Sequence, residues 1–154
     1  MIRPCRARII GLHAARIRRV GQFLLEQEKK LLHKETFTLV HGDYQPNNII
    51  TASKAVAVID FNDAFLYDEL FDLAYFLTQT ESMLRRLQHV DLGTLPRELE
   101  QHYFTARRLP YDERARKKLA LFRAKTLLSI KALTSPQEGL KILEEIEINA
   151  QKTT

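Results

Sequence analysis

The chain has a single cysteine, Cys5, so no disulfide can form within it and the fold has to rest on packing and hydrogen bonds. So little cysteine fits a reducing compartment, and a cytoplasmic location is the expectation. Uncharged apolar runs are short. None reaches the roughly 18 residues that a membrane-spanning helix needs, so no membrane partner is expected. The start, Met1-Ile2-Arg3-Pro4-Cys5-Arg6, is basic, but Arg16, Arg18 and Arg19 interrupt the apolar residues after it, which leaves no signal-peptide core. Glycine is scarce too. Gly11, Gly21, Gly42, Gly93 and Gly139 lie too far apart to build a glycine-rich phosphate loop. No repeat, low-complexity tract or Ser/Gly linker divides the chain, and 154 residues suit one domain, 1–154, with a substantial core.

Basic residues are nearly missing from the middle. Residues 35–82 hold only Lys54 against eight acids, a net −7, while residues 1–34 carry +7 and residues 83–154 carry +5. An acidic centre between basic flanks suits a metal and cationic groups. A nucleic-acid binder would more often show one basic face with interleaved aromatics, so no nucleic-acid partner is expected.

Hydrophobic spacing sets the elements. Ile10, Ile17, Val20, Leu24 and Leu31 predict a helix over 8–32. Phe37–Val40 is too short an apolar run for a helix and reads as a strand. His41–Asn47 reads as a loop, kept extended at Gln45 by Pro46. Asn48–Thr51 and Val56–Ile59 read as a hairpin joined through 52–55, and Asp63–Asp68 as a loop. Helices are expected from about Glu69 to Leu87, then over Glu98–Arg108, Asp112–Leu133 and Pro136–Asn149. Ser135 and Glu138 have capping-box spacing at the last of these. Asp68 and Asp72 stand at a helix start, where carboxylates meet free N–H groups. Phe71, Tyr75, Phe76, Tyr103, Phe104, Tyr111 and Phe122 read mainly as core. The fold class is α+β and mostly helical.

The chemistry gathers in Leu39–Asp60. Each of two apolar runs delivers a carboxylate to its C-terminal end, Asp43 and Asp60, and Asn48 lies five residues after Asp43 and twelve before Asp60. Gly42 lets the loop turn sharply and expose Asp43, which can then accept a proton from a substrate hydroxyl. Asn48 offers a neutral oxygen and Asp60 a charged one. Magnesium takes few protein ligands and completes its octahedron with water and phosphate oxygens, so that pair suffices beside a nucleotide triphosphate. The blander readings are an Asx turn at Asp43, turn residues at Asn47 and Asn48, and a strand end at Asp60. Asp63 and Asp68 read as loop and cap residues. The base, the Asn five residues later and a second Asp on a hairpin match the layout of protein kinases.

Three motifs then occur in order: Val-His-Gly-Asp-Tyr-Gln-Pro-Asn-Asn-Ile-Ile from Val40, Val-Ile-Asp-Phe-Asn-Asp-Ala from Val58, and Phe-Asp-Leu-Ala-Tyr-Phe-Leu from Phe71. Together they resemble the aminoglycoside phosphotransferase and choline kinase-like family, which shares the protein-kinase-like fold. The resemblance spans about residues 39–77. It implies that Asp43 is the catalytic base, that Asn48 and Asp60 hold Mg2+ against the phosphates of ATP, that His41 braces the loop and that Asp72 supports the loop's backbone. It also implies a small-molecule hydroxyl acceptor, an aminoglycoside or a choline-like alcohol. Tyr44 and Gln45 depart from the family's usual residues and are expected to stay outside the chemistry. Asn62 replaces a residue that is often acidic and is expected to alter contacts around the site.

Within the family this chain resembles the C-terminal lobe only: the helix at 8–32, the catalytic loop and hairpin at 37–60 and a helical substrate-side subdomain at 68–149. The glycine-rich loop and strand lysine of the nucleotide lobe are not among these 154 residues. The expectation is a partial chain of a phosphotransferase that binds ATP weakly alone. The rival is a non-catalytic binding or scaffold module of kinase-like fold.

Overall fold

A computed structural model describes residues 4–86 and 94–131, with the side chains of 4–13, 15, 85, 86, 130 and 131 outside the description. The helix expected over Pro136–Asn149 and the Ser135–Glu138 capping box lie outside the described residues. Contacts gather into two compact units, one of Leu31–Arg123 and one of Met1–Lys30 with Ala124–Thr154. The architecture is mostly helical α+β, with two small antiparallel sheets.

Helix α1 runs Pro4–Leu31. It starts four residues before the expected start at 8, since a proline in a first turn needs no N–H partner. In the unit that contains most of α1, Val20 and Leu24 are buried, as is Thr126, and Lys125 Nζ meets Glu28 Oε2 at 2.5 Å. Among the described residues no helix is long and apolar enough to cross a membrane.

The other unit carries both sheets. Strand β1 is Thr38–Val40, β2 is Ile49–Ala52, β3 is Ala55–Val58 and β4 is Phe65–Tyr67. The hairpin β2–β3 pairs Ile49 with Val58 and Ala52 with Ala55, so its turn is Ser53-Lys54 alone, shorter than the expected four residues. Strand β4 corrects the loop expected over Asp63–Asp68. Phe65-Leu66-Tyr67 pairs antiparallel with β1, Thr38 opposite Tyr67 and Val40 opposite Phe65. Three residues are too few to show alternation, but aromatic side chains suit a half-covered strand.

Helix α2 is Leu70–Arg86, α3 is Leu95–Arg107 and α4 is Glu113–Lys131. Asp68 opens α2, its Oδ1 accepting the Leu70 N–H at 3.2 Å, and Asp112 opens α4, accepting the Ala115 N–H at 2.8 Å. Pro96 sits in the first turn of α3 instead of ending the chain's helical run before Glu98. The helix stops at Arg108, left-handed at φ 54°, with Leu109 N–H reaching back to Phe104 O.

The core of this unit is Val40, Tyr67, Leu70, Leu73, Ala74, Leu77, Phe104, Ala115, Leu119, Leu121 and Phe122. The rings of Phe65, Tyr67, Phe71 and Phe122 join the β1–β4 sheet to α2 and α4 at centroid distances of 5.4–5.8 Å. Phe104 and Phe122 are core as expected; Tyr111 is 39% exposed and is not. Two partly buried ion-pair sets also cross between helices. Lys118 Nζ meets Asp68 Oδ2 at 2.5 Å, and Arg123 bridges Glu81 of α2 and Glu100 of α3.

Candidate active site

The loop after β1 takes its shape at Gly42. Its φ is 85°, and a Cβ there would stand 2.1 Å from the Asp63 carbonyl oxygen. Any side chain would collide with that backbone, so glycine is required both for its conformation and for the close approach. From below, Asp72 in the first turn of α2 grips the same stretch. Its Oδ2 accepts the His41 N–H at 2.7 Å and its Oδ1 the Gly42 N–H at 3.1 Å.

His41 is 5% exposed, and both ring nitrogens are engaged. Nδ1 accepts the Asp43 N–H at 3.3 Å, and Nε2 lies 2.8 Å from the Ile59 carbonyl oxygen. A carbonyl can only accept, so Nε2 carries the hydrogen and Nδ1 the lone pair. One neutral tautomer satisfies both contacts. Phe61 and Tyr44 pack on the ring, at centroid distances of 4.4 and 5.8 Å.

Asp43 is half-buried at the loop's tip. Asn48 Nδ2 donates to its backbone oxygen at 2.9 Å and to its Oδ2 at 3.0 Å. These bonds orient the amide: nitrogen toward Asp43, Oδ1 turned away and free of protein donors among the described residues. Asn48 is buried while Asn47 is exposed, which separates the two adjacent amides. The Asx-turn reading of Asp43 requires backbone N–H groups on its carboxylate. Among the described residues its hydrogen bonds come from side chains.

Asp60 arrives by extension of the hairpin. Ile59 N–H donates to Asn48 O at 3.0 Å, one step beyond the Ile49–Val58 pair, and Asp60 is the next residue. Asp60 is left-handed, φ 66° and ψ 62°, a strained conformation for a residue with a Cβ. It is exposed, and Asn62 Nδ2 donates to its Oδ1 at 2.7 Å. Hydrogen bonds join Asp43, Asn48, His41 and Asp72 directly. The Asp60 side chain bonds to none of them and is connected through the Ile59 backbone.

The donor set suits a hard cation. The Asn48 amide and the Asp60 carboxylate offer oxygen donors at the open end of the β2–β3 hairpin, and no cluster of three His, Cys, Asp or Glu is found among the described residues. Two protein oxygens, with the rest left to water and phosphate, match what magnesium takes.

Three contributors are missed by sequence reasoning. Gln45 was expected outside the chemistry, yet its Nε2 donates to Asp43 Oδ2 at 2.8 Å. Tyr75 was read as core. It is half-buried on α2, and burial first, then hydrogen bonding to Asp43, raise its phenol pKa above 10.0, against the opposing effect of Gln79. The Ile59 backbone, finally, ties the His41 ring to Asn48. A glutamine two residues from the carboxylate was the visible signal for Gln45; nothing in the sequence marked the Ile59 peptide.

No curated protein and no solved structure matches the chain. A model of the APH phosphotransferase enzyme family matches residues 5–110, a stretch that contains His41, Asp43, Asn48, Asp60 and Asp72. With the match covering more than half of the 154 residues, and the motifs falling inside it, the chain belongs to the phosphotransferase enzyme family of the aminoglycoside phosphotransferase and choline kinase-like type.

Proposed function

We propose that the protein transfers the γ-phosphate of ATP, with magnesium, to a hydroxyl of a small molecule, and that residues 1–154 correspond to the C-terminal lobe of a kinase-like fold. The observation that carries this reading is the orientation of Asn48. Its amide nitrogen is committed to Asp43, so its oxygen is the atom left without a protein donor among the described residues, at the end of the hairpin that leads into Asp60. A residue serving only as a turn would need no such orientation.

Each residue then has a task. Asp43 accepts a hydrogen bond from the acceptor hydroxyl and orients it for in-line attack. Because phosphoryl transfer asks little covalent chemistry of the protein, positioning is the main contribution. Asn48 and Asp60 would hold magnesium, which when bound supplies charge neutralisation at the phosphates. Asp72 and Gly42 set the backbone from which Asp43 projects, and His41 locks that backbone to the hairpin. The deficit of basic residues over 35–82 suits a cationic acceptor of the aminoglycoside or choline-like kind. Large apolar side chains open to solvent on both sheets, Leu39, Ile50, Val56 and Leu66, support a covering lobe.

The test is an acceptor screen of the full-length locus with labelled ATP and magnesium. Asp43→Ala is expected to lose roughly 10²–10⁴-fold in turnover. Asp60→Ala should lose transfer with the fold intact by circular dichroism. Wild-type turnover by either variant would sink the role assignments. Acceptor binding without any transfer by the wild type would instead favour the non-catalytic module.

A further inference from the structure

The proposed base has more side-chain partners than that mechanism uses. Gln45 Nε2 and Asn48 Nδ2 donate to the same oxygen of Asp43, Oδ2, at 2.8 and 3.0 Å. Among the described residues Oδ1 receives no amide donor. A carboxylate turns about two single bonds, and two donors held on one of its oxygens restrict both rotations.

The local backbone explains why Gln45 can do this. Pro46 excludes the helical region for the residue before it, and Gln45 is extended at φ −133° and ψ 160°. The next turn, Pro46–Asn48, closes with the Asn48 N–H on the Gln45 carbonyl at 2.9 Å. Gln45 and Asn48 are thereby held at the two ends of one turn, both amides on Asp43. Tyr44, between Asp43 and Gln45, is committed elsewhere, its ring against His41 and Phe76. From α2, Tyr75 faces the same carboxylate, and Gln79 Nε2 donates to the Tyr75 hydroxyl at 3.2 Å.

We infer that Gln45 is a positioning residue for Asp43: paired with Asn48 on Oδ2, it fixes the carboxylate's rotation so that Oδ1 is the oxygen presented to the acceptor hydroxyl. The inference rests on the phosphotransferase reading above. An unheld carboxylate would have to be ordered in each turnover. Gln45 does that ordering in advance, which affects the transfer step and not the binding of nucleotide.

Two measurements test it. On the purified chain, the side-chain amide protons of Gln45, assigned by their loss in Gln45→Ala, should be shifted from free-amide positions and return to them in Asp43→Ala. In the full-length enzyme, Gln45→Ala and the isosteric Gln45→Glu, which keeps the shape and loses the donors, should each lower kcat roughly ten- to a hundredfold with KM for ATP unchanged. An amide signal indifferent to Asp43→Ala, or full kcat in Gln45→Glu, overturns the inference. A wild-type enzyme that transfers to no acceptor strikes the reaction itself, while the amide signal still reads the Gln45–Asp43 contact by itself.

Discussion

Asp72 Oδ2 accepts the His41 backbone N–H at 2.7 Å, joining residues 31 apart in sequence. The other carboxylate oxygen takes the Gly42 N–H, so one side chain satisfies two consecutive donors, at least one of them on a buried residue. Truncation leaves both unpaired. Asp72→Ala should destabilise by about 3 kcal/mol, since each orphaned buried donor costs about 1–3 kcal/mol. Asp72→Asn, which keeps one acceptor, should cost less. Urea unfolding of the wild type and the two variants checks the order, and midpoints equal to the wild type's would show that the Asp72 contacts contribute nothing.

Two glycines predict opposite signs for the same substitution. At Gly42 a Cβ would meet the Asp63 carbonyl oxygen at 2.1 Å in a left-handed backbone. Gly42→Ala should cost on the order of 3 kcal/mol and displace Asp43. Gly21 lies inside α1 with nothing within 4 Å of the added carbon. Gly21→Ala should stabilise by about 1 kcal/mol through helix propensity and a less flexible unfolded chain. Thermal unfolding distinguishes them, and a loss of stability in Gly21→Ala would contradict the open space around that helix position.

The range of each interaction decides how legible it is in the sequence. The order and spacing of Asp43, Asn48 and Asp60 are visible because a loop and a hairpin are local objects. The helices are visible because their apolar faces repeat. Strand β4 is not, because Phe65–Tyr67 is three residues long and finds its partner only when the chain returns to Thr38–Val40. Tyr75 illustrates a different limit. Its spacing on α2 agrees with a core position, but a phenol has a polar tip, and here that tip faces Asp43. Gln45 shows a third: a long side chain has many rotamers, and no pattern in the sequence says which one is used. The αL conformation at Asp60 is equally hidden, since only glycine advertises a positive φ.

Lys118 and Asp68 form the most enclosed ion pair among the described residues, with side chains 15% and 5% exposed and 2.5 Å between them. Removing one partner leaves a buried charge. Lys118→Met should therefore cost about 3 kcal/mol, more than an exposed pair such as Lys117–Glu113 could account for. In the double variant Lys118→Met with Asp68→Asn the cost should shrink, because the uncompensated charge is gone while an oxygen remains to cap the Leu70 N–H. A double-mutant cycle in urea measures this, and simple additivity would mean that the two charges do not interact.

Alkaline pH should weaken the fold through two tyrosines. Burial, then Asp43, hold the Tyr75 phenol above its ordinary 10.0, with Asp63 adding to the effect and Gln79 opposing it. Burial, then the charge of Glu69, do the same at Tyr103, whose hydroxyl lies 3.5 Å from the Glu69 carbonyl oxygen, with Arg107 opposing. In the unfolded chain both ionise near the ordinary value, so above it the folded state holds more protons than the unfolded. The stability these groups contribute is therefore complete below about pH 10 and is lost as the pH climbs through their raised folded values. Urea midpoints across this range, followed with tyrosinate absorbance, should fall in the wild type and fall less steeply in Tyr75→Phe and Tyr103→Phe. Identical slopes in all three proteins would mean that neither phenol is shielded from ionisation by the fold.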